Sequence, residues 1–172
     1  MNQPVWWIVG IAAIGLLSAL LLRRPRKSAL PTGVSVRYTN HARERMAERG
    51  VTAQQIAAAL ARPDRHEADR VENSVRVERD YDGRTLKVWV AEPWPPASEA
   101  VVKSTAWHYH DTMRIPAARI GALIGRKGRT IDEIRRGTGA RINVDDDGTV
   151  HITGDEHAAV QAAKRAIGKI VG

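Results

Sequence analysis

The sequence predicts an α+β protein carried on an N-terminal transmembrane helix, and three observations predict it. Residues 5–22 are an unbroken run of 18 uncharged residues, apolar except for Ser18. Residues 75–92 hold two alternating apolar stretches on either side of Asp82-Gly83, the pattern of a β-hairpin. Residues 115–171 switch between strand and helix periodicity in the order βααββα.

The chain has 172 residues and a formal net charge of +8, from 27 Lys plus Arg against 19 Asp plus Glu. That length accommodates one or two small domains. A basic balance points to a polyanionic partner, either nucleic acid or an anionic membrane surface. The excess sits in two places. Residues 1–31 carry four basic residues and no acid, residues 32–112 carry 12 of each sign, and residues 113–172 carry 11 basic and 7 acidic. There is no cysteine, which excludes disulfides, thiolate zinc sites and cysteine nucleophiles. There is no phenylalanine either, so the cores must be aliphatic with Trp and Tyr added.

As a helix, residues 5–22 would span about 27 Å at 1.5 Å per residue, near the lower limit for a bilayer core. Trp6 and Trp7 stand where aromatic rings prefer the membrane interface, and Arg23-Arg24-Pro25-Arg26-Lys27 ends the run. A cleaved signal peptide would carry its positive charge before the apolar run; here the order is reversed. We therefore expect residues 1–27 to be an uncleaved anchor with a basic stop. The positive-inside rule makes the protein single-pass in the inner (cytoplasmic) membrane, N-terminus outside and all later residues cytoplasmic. The basic cluster also suits anionic headgroups.

Residues 28–33, with Pro31 and Gly33, read as a linker, and residues 34–110 as a small α+β domain of two helices and a β-meander. Val34, Val36 and Tyr38 alternate as a first strand. A helix over residues 39–49 closes at Gly50. Thr52 and Gln55 form a capping box for the next helix, with Val51 and Ile56 as its hydrophobic staple. That helix ends before Pro63. A two-residue Asp82-Gly83 turn sets Val77 opposite Val88, Val75 opposite Val90 and Glu78 opposite Lys87. Residues 100–110 make a third strand.

The stretch from His41 to Thr52, followed by a second helix and a meander, resembles a bacterial family labelled only as a domain of unknown function. That family is similar in layout to the RelE/ParE-type toxin fold, whose active members cut RNA with basic residues; the resemblance implies no catalytic assignment. His41, Arg45 and Arg49 are spaced to share one helix face, with Arg43 beside them. The balanced charge of the segment, with Glu44 and Glu48 among the arginines, favours a solvated face over a nuclease surface. His108 and His110 share a strand face but have no evident third ligand, so we assign no metal site.

The sequence after Asp111 is more specific. Ile120, Leu123 and Ile124 make an apolar stripe, Gly125-Arg126-Lys127-Gly128 a tight loop, and Ile131 and Ile134 a second stripe. A three-residue loop, Asp146-Asp147-Gly148, pairs Val144 with Val150 and Ile142 with Ile152, apolar with apolar, as a two-residue loop does not. Asp155 is the expected cap of a last helix over residues 156–171, with Val160, Ala163, Ile167 and Ile170 on one stripe. The order βααββα with Gly-x-x-Gly between the first two helices resembles the type I KH domain over residues 113–172, and in particular that of polynucleotide phosphorylase. The resemblance implies a loop that clamps about four nucleotides. It also implies a base-binding groove floored by Ile120, Gly121, Ile124, Ile131, Ile142 and Val144. Charge agrees: residues 113–141 hold eight basic residues, Arg129, Arg135 and Arg141 among them, against two acids, whereas residues 142–172 hold three against five.

The expected function is a membrane-anchored, non-catalytic adaptor that holds single-stranded RNA, or single-stranded DNA, through Gly125, Arg126, Lys127 and Gly128, without cofactor or metal. The alternative is a toxin-like nuclease in residues 34–110 with the KH segment as its substrate-binding module. The anchored arrangement is similar to a membrane-bound bacterial endoribonuclease, whose metal-binding hydrolase domain has no counterpart in this sequence. The protein partner of the middle segment stays unassigned.

Overall fold

The computed structural model describes residues 30–31, 33–70 and 73–172. The expected anchor lies outside the described residues. Among the described residues no helix is long and apolar enough to cross a membrane.

The first strand, β1 (Ser35–Tyr38), leads into helix α1 (Asn40–Arg49). The Thr39 side chain accepts from the Ala42 N–H at the start of α1, and Gly50 closes it at φ 60°. Helix α2 (Ala53–Ala61) carries the full expected capping box. Gln55 Oε1 accepts from the Thr52 N–H at 2.8 Å, and Thr52 Oγ1 from the Gln55 N–H at 3.2 Å. Val51 and Ile56, the staple, are both buried.

Strands β3 (Ser74–Tyr81) and β4 (Arg84–Ala91) pair in the expected register: Val77 with Val88, Val75 with Val90, Glu78 with Lys87. The Glu78 carboxylate nevertheless goes elsewhere, to Arg65 at 3.0 Å and Arg76 at 2.8 Å. Arg65 belongs to β2 (Arg65–Asp69), an edge strand that periodicity does not reveal because nearly all of it is exposed.

The expected third strand is longer than the sequence suggested. Strand β5 (Glu99–Arg114) runs 16 residues without a break. Its first part pairs with β4, and residues 109–114 pair with β7 (Thr149–Gly154). Strand β6 (Arg141–Val144) adds to β7, with Ile142 on Ile152 and Val144 on Val150 as expected. One seven-stranded sheet results, ordered β2-β3-β4-β5-β7-β6, with β1 parallel to residues 99–102 of β5. Between β1 and β7, helix α1 covers the flank of β5. Thr39 Oγ1 donates to the Lys103 carbonyl at 3.1 Å and Arg49 Nη1 to the Thr105 carbonyl at 3.3 Å, so side chains satisfy backbone oxygens that no strand reaches there.

Two aliphatic cores lie on this sheet. Ile56, Leu60, Val77, Leu86, Val88, Val90 and Val102 make the first; Leu123, Ile142, Val150, Ile152, Val160 and Ile167 make the second. Fully burying each such side chain stabilises the fold by about 1.5–3 kcal/mol. Tyr109, midway along β5, packs against both. Trp107, Tyr109 and Met113 alternate onto one face of the strand, so the two cores share that face.

The second core is roofed by α3 (Ala117–Ile124), α4 (Arg129–Thr138) and α5 (His157–Val171). The cap of α5 differs from the expectation. Glu156 is its N-cap, with no side-chain capping bond, and Asp155 instead faces His108 of β5, Oδ1 to Nδ1 3.2 Å. A partner across the sheet outcompetes the local cap.

Candidate nucleic-acid interface

Between α3 and α4 the chain makes one tight 3₁₀ turn, Arg126–Gly128. Gly125 has φ 72° and ψ 175°, Lys127 φ 55°, and Gly128 φ 79°. Three positive φ values in four residues turn the backbone sharply. A methyl on Gly125 would overlap the Thr130 side chain, so that position tolerates no side chain. At Gly128 a methyl would make only an ordinary contact with the Asp132 carboxylate, at 3.8 Å, and the constraint is φ.

The turn ends at the start of α4, where Gly128 is the N-cap and supplies no side-chain bond. The Arg129 N–H turns back to the Arg126 carbonyl, no side chain caps the N–H groups that follow it, and the helix dipole favours an anion there. Arg126 and Lys127 are exposed and form no ion pair among the described residues. The neighbouring arginines are already engaged. Arg129 bonds Glu133 at 3.0 Å; Arg135 bonds Asp132 at 3.0 Å and the Ile142 carbonyl at 2.5 Å, which clips α4 to β6. Arg141 is exposed at the start of β6.

The six expected floor residues divide by burial. Ile120 and Val144 are half-buried, Gly121 is exposed, and Ile124 is the one exposed large hydrophobic among the described residues, at 38%. These four present an apolar surface beside the loop. Ile131 and Ile142 are core residues beneath it and support the surface from behind. The acidic hairpin after β6 is turned on itself. Asp147 accepts from the Thr149 N–H and hydroxyl, which hold its carboxyl below the ordinary carboxylate range, and Asp145 pairs with His151 at 3.1 Å.

Residues 110–169 match the family model described as KH domain. The C-terminal segment is a KH domain. Its type I order, βααββα, is that of β5, α3, α4, β6, β7 and α5. Residues 38–106 match a second family, described as Domain of unknown function (DUF4258). Over the KH segment the chain is similar to polyribonucleotide nucleotidyltransferases. Identity is 48% over 59 residues with the Acidothermus cellulolyticus protein and 44% over 59 with that of a Nocardioides species, in each case 34% of this chain. The chain spans only 8% of the length of these relatives. Among solved structures, it is similar to the a/eIF2alpha-aDim2p-rRNA complex of Pyrococcus horikoshii (33% identity, 37% of this chain and 39% of that chain, TM-score 0.35). The first KH type I domain of human Vigilin is similar at 20% identity, over 37% and 71% of the two chains, with TM-score 0.35.

Outside the KH segment, the three residues singled out on α1 do come together. His41, Arg45 and Arg49 wall a cavity of about 580 Å³. Its floor comes from the sheet: Ser74 of β3, Trp89 of β4, and Lys103 and Ser104 of β5. No linear motif announces these floor residues, because three strands deliver them. Arg43 points away, to Asn40 at 3.2 Å. His108 is taken by Asp155, and among the described residues no cluster suited to a metal ion is present.

Proposed function

We propose that the protein holds single-stranded RNA in the KH groove and acts as a non-catalytic adaptor kept at the inner membrane by residues 5–22. The observation that carries this reading is the loop. Two unpaired cations sit on a backbone forced into positive φ, against a helix start with no side-chain cap. Phosphate oxygens satisfy all three features at once, and the apolar surface of Ile120, Ile124 and Val144 gives bases a place to lie. The KH family match and the polyribonucleotide nucleotidyltransferase relatives support an RNA-binding role.

The test replaces Arg126 and Lys127 together by aspartate. Both glycines stay, so circular dichroism should not change, while affinity for a labelled single-stranded RNA should fall by two orders of magnitude or more. Binding by the parent should weaken with salt, with a log–log slope of about −0.7 per phosphate neutralised. Arg165→Asp with Lys169→Asp on α5 is the control and should matter little; Lys164 is unsuitable because it holds Asp111. A folded loop variant that binds like the parent would refute the reading. For the anchor, a reporter fused after Gly172 should be active only in its cytoplasmic form, and removal of residues 1–27 should release the protein from membranes. A periplasmic signal would sink the proposed topology.

A further inference from the structure

We infer that the cavity between α1 and the sheet is a second, separate site, built to take a nucleotide unit: one phosphate together with its base. The middle segment is charge-balanced as a whole, but the balance is not local. The carboxylates of Glu67, Glu78 and Asp80 are occupied by Arg65 and Arg76 at the far edge of the sheet. The cavity is walled by Arg45, Arg49 and His41, with Glu44 4.0 Å from the His41 ring on the outer side, and no described carboxylate is among the residues that line it. Arg45 holds Glu48 at 2.7 Å on the surface, a pair worth at most about 1 kcal/mol and readily exchanged for a phosphate. Arg49 uses one N–H on the Thr105 carbonyl, and a guanidinium carries five.

Two further observations point to a ligand. Ser74 is wholly buried, lines the cavity, and its hydroxyl has no hydrogen-bond partner among the described residues. Such a group costs roughly 1–3 kcal/mol unless something satisfies it. Secondly, the ladder between β4 and β5 slips at this point. Trp89 pairs with Ser104 but Val90 with Val102, so Lys103 is the extra residue of a bulge, a device that re-aims a side chain. The floor also carries an indole. Trp89 is half-buried and steadied by its Nε1–H donating to Asp69 at 3.2 Å, and an aromatic ring is the usual platform for a base. Cations for a phosphate, hydroxyls for its oxygens or a ribose, and an indole for the base describe a nucleotide. The volume of about 580 Å³ lies within the roughly 300–1,000 Å³ of small-ligand sites.

The unit comes either as a free nucleotide or as part of an RNA strand. The experiment uses the chain with Arg126→Asp and Lys127→Asp, so that the KH loop is disabled and the outcome is independent of the KH reading. Equilibrium titrations compare 5′-AMP, adenosine and a 5′-phosphorylated hexaribonucleotide. AMP should bind with unit stoichiometry and at least tenfold more tightly than adenosine. Arg45→Gln, at a partly exposed position, should weaken AMP about tenfold with circular dichroism unchanged. Trp89→Phe should abolish any ligand-induced change of tryptophan fluorescence. An oligonucleotide tighter than AMP identifies a strand as the source, and the reverse order a free nucleotide; either supports the site. The inference is overturned if neither AMP nor the oligonucleotide binds, if adenosine binds as well as AMP, or if the folded Arg45 variant binds AMP like its parent.

Discussion

At the scale of single residues, the glycines separate what the fold needs from what the ligand needs. Gly148 sits at φ +86°, and a methyl there would run into the Ile115 carbonyl oxygen. Alanine should therefore cost both backbone strain and a collision with main chain, together about 2–4 kcal/mol of stability, seen as a lower urea midpoint. Gly121 is the opposite case. It lies inside α3, is exposed, and an added methyl would meet nothing within 4 Å. Gly121→Ala should raise stability by roughly 0.5–1 kcal/mol, because glycine is a poor helix former. If RNA lies across α3 beside Ile120 and Ile124, the same methyl should weaken RNA binding in an anisotropy titration. Gly137, equally open in α4, supplies the comparison: alanine there should stabilise and leave binding unchanged. Weakening by both substitutions, or by neither, would remove Gly121 from the groove.

At the scale of elements, one readily titrated ion pair helps to tie α5 to β5, beside the contact of the Tyr109 and His157 rings. Lys164 Nζ donates to Asp111 Oδ2 at 2.8 Å, and that bond, aided by the Thr112 N–H, holds the Asp111 carboxyl below its ordinary range. A carboxylate favoured in the folded state adds stability above its unfolded value of about 3.9, and the contribution disappears as pH falls through the folded value. With Lys164 partly exposed, Asp111→Asn should cost about 0.5–1 kcal/mol at pH 7, and the gap should begin to narrow below about pH 4 and close as pH falls through the lowered folded value. A gap that does not narrow at all between about pH 4 and about pH 2 would mean that the pair is not its cause. Elements whose signals are local were legible in the sequence. The Thr52–Gln55 box, the Asp82-Gly83 turn and the register of Ile142 on Ile152 each depend on a few neighbouring residues. The Gly-x-x-Gly loop was legible for the same reason. Strand β2 was not, because an edge strand exposed on both faces, Arg-His-Glu-Ala-Asp, carries no alternation and is held by Arg65 reaching Glu78 and Asp80. Asp155 looks like a cap in the sequence because His108, its partner, is 47 residues away. The cavity beside α1 is only half legible: His41, Arg45 and Arg49 share a helix face by spacing, but the floor is assembled from three strands, and a charge count over the whole segment averages the cations away.

At the scale of the whole molecule, β5 matters most, because it is the central strand for both cores. Residues 102–109 pair with β4, residues 109–114 with β7, and Tyr109 packs against both clusters. A chain of two beads on a linker would unfold in two steps. Here, melting of the KH half would strip β7 from β5 and uncover Tyr109, which would weaken the packing of the first core as well. The tryptophans make this testable, since none follows Trp107 and the KH helices contain none. With Trp6 and Trp7 replaced by phenylalanine, fluorescence reports only Trp89, Trp94 and Trp107, all packed within or against the N-terminal half. Far-ultraviolet circular dichroism reports both halves. The two probes should give one coincident urea transition, as a single cooperative unit requires. The decisive measurement adds Gly148→Ala, a lesion confined to the KH hairpin. Its destabilisation should appear in the fluorescence midpoint too, although the altered residue touches no tryptophan. If fluorescence holds its parental midpoint while circular dichroism acquires an earlier phase, the shared strand does not couple the halves, and the protein is two independent domains joined by a β-ribbon.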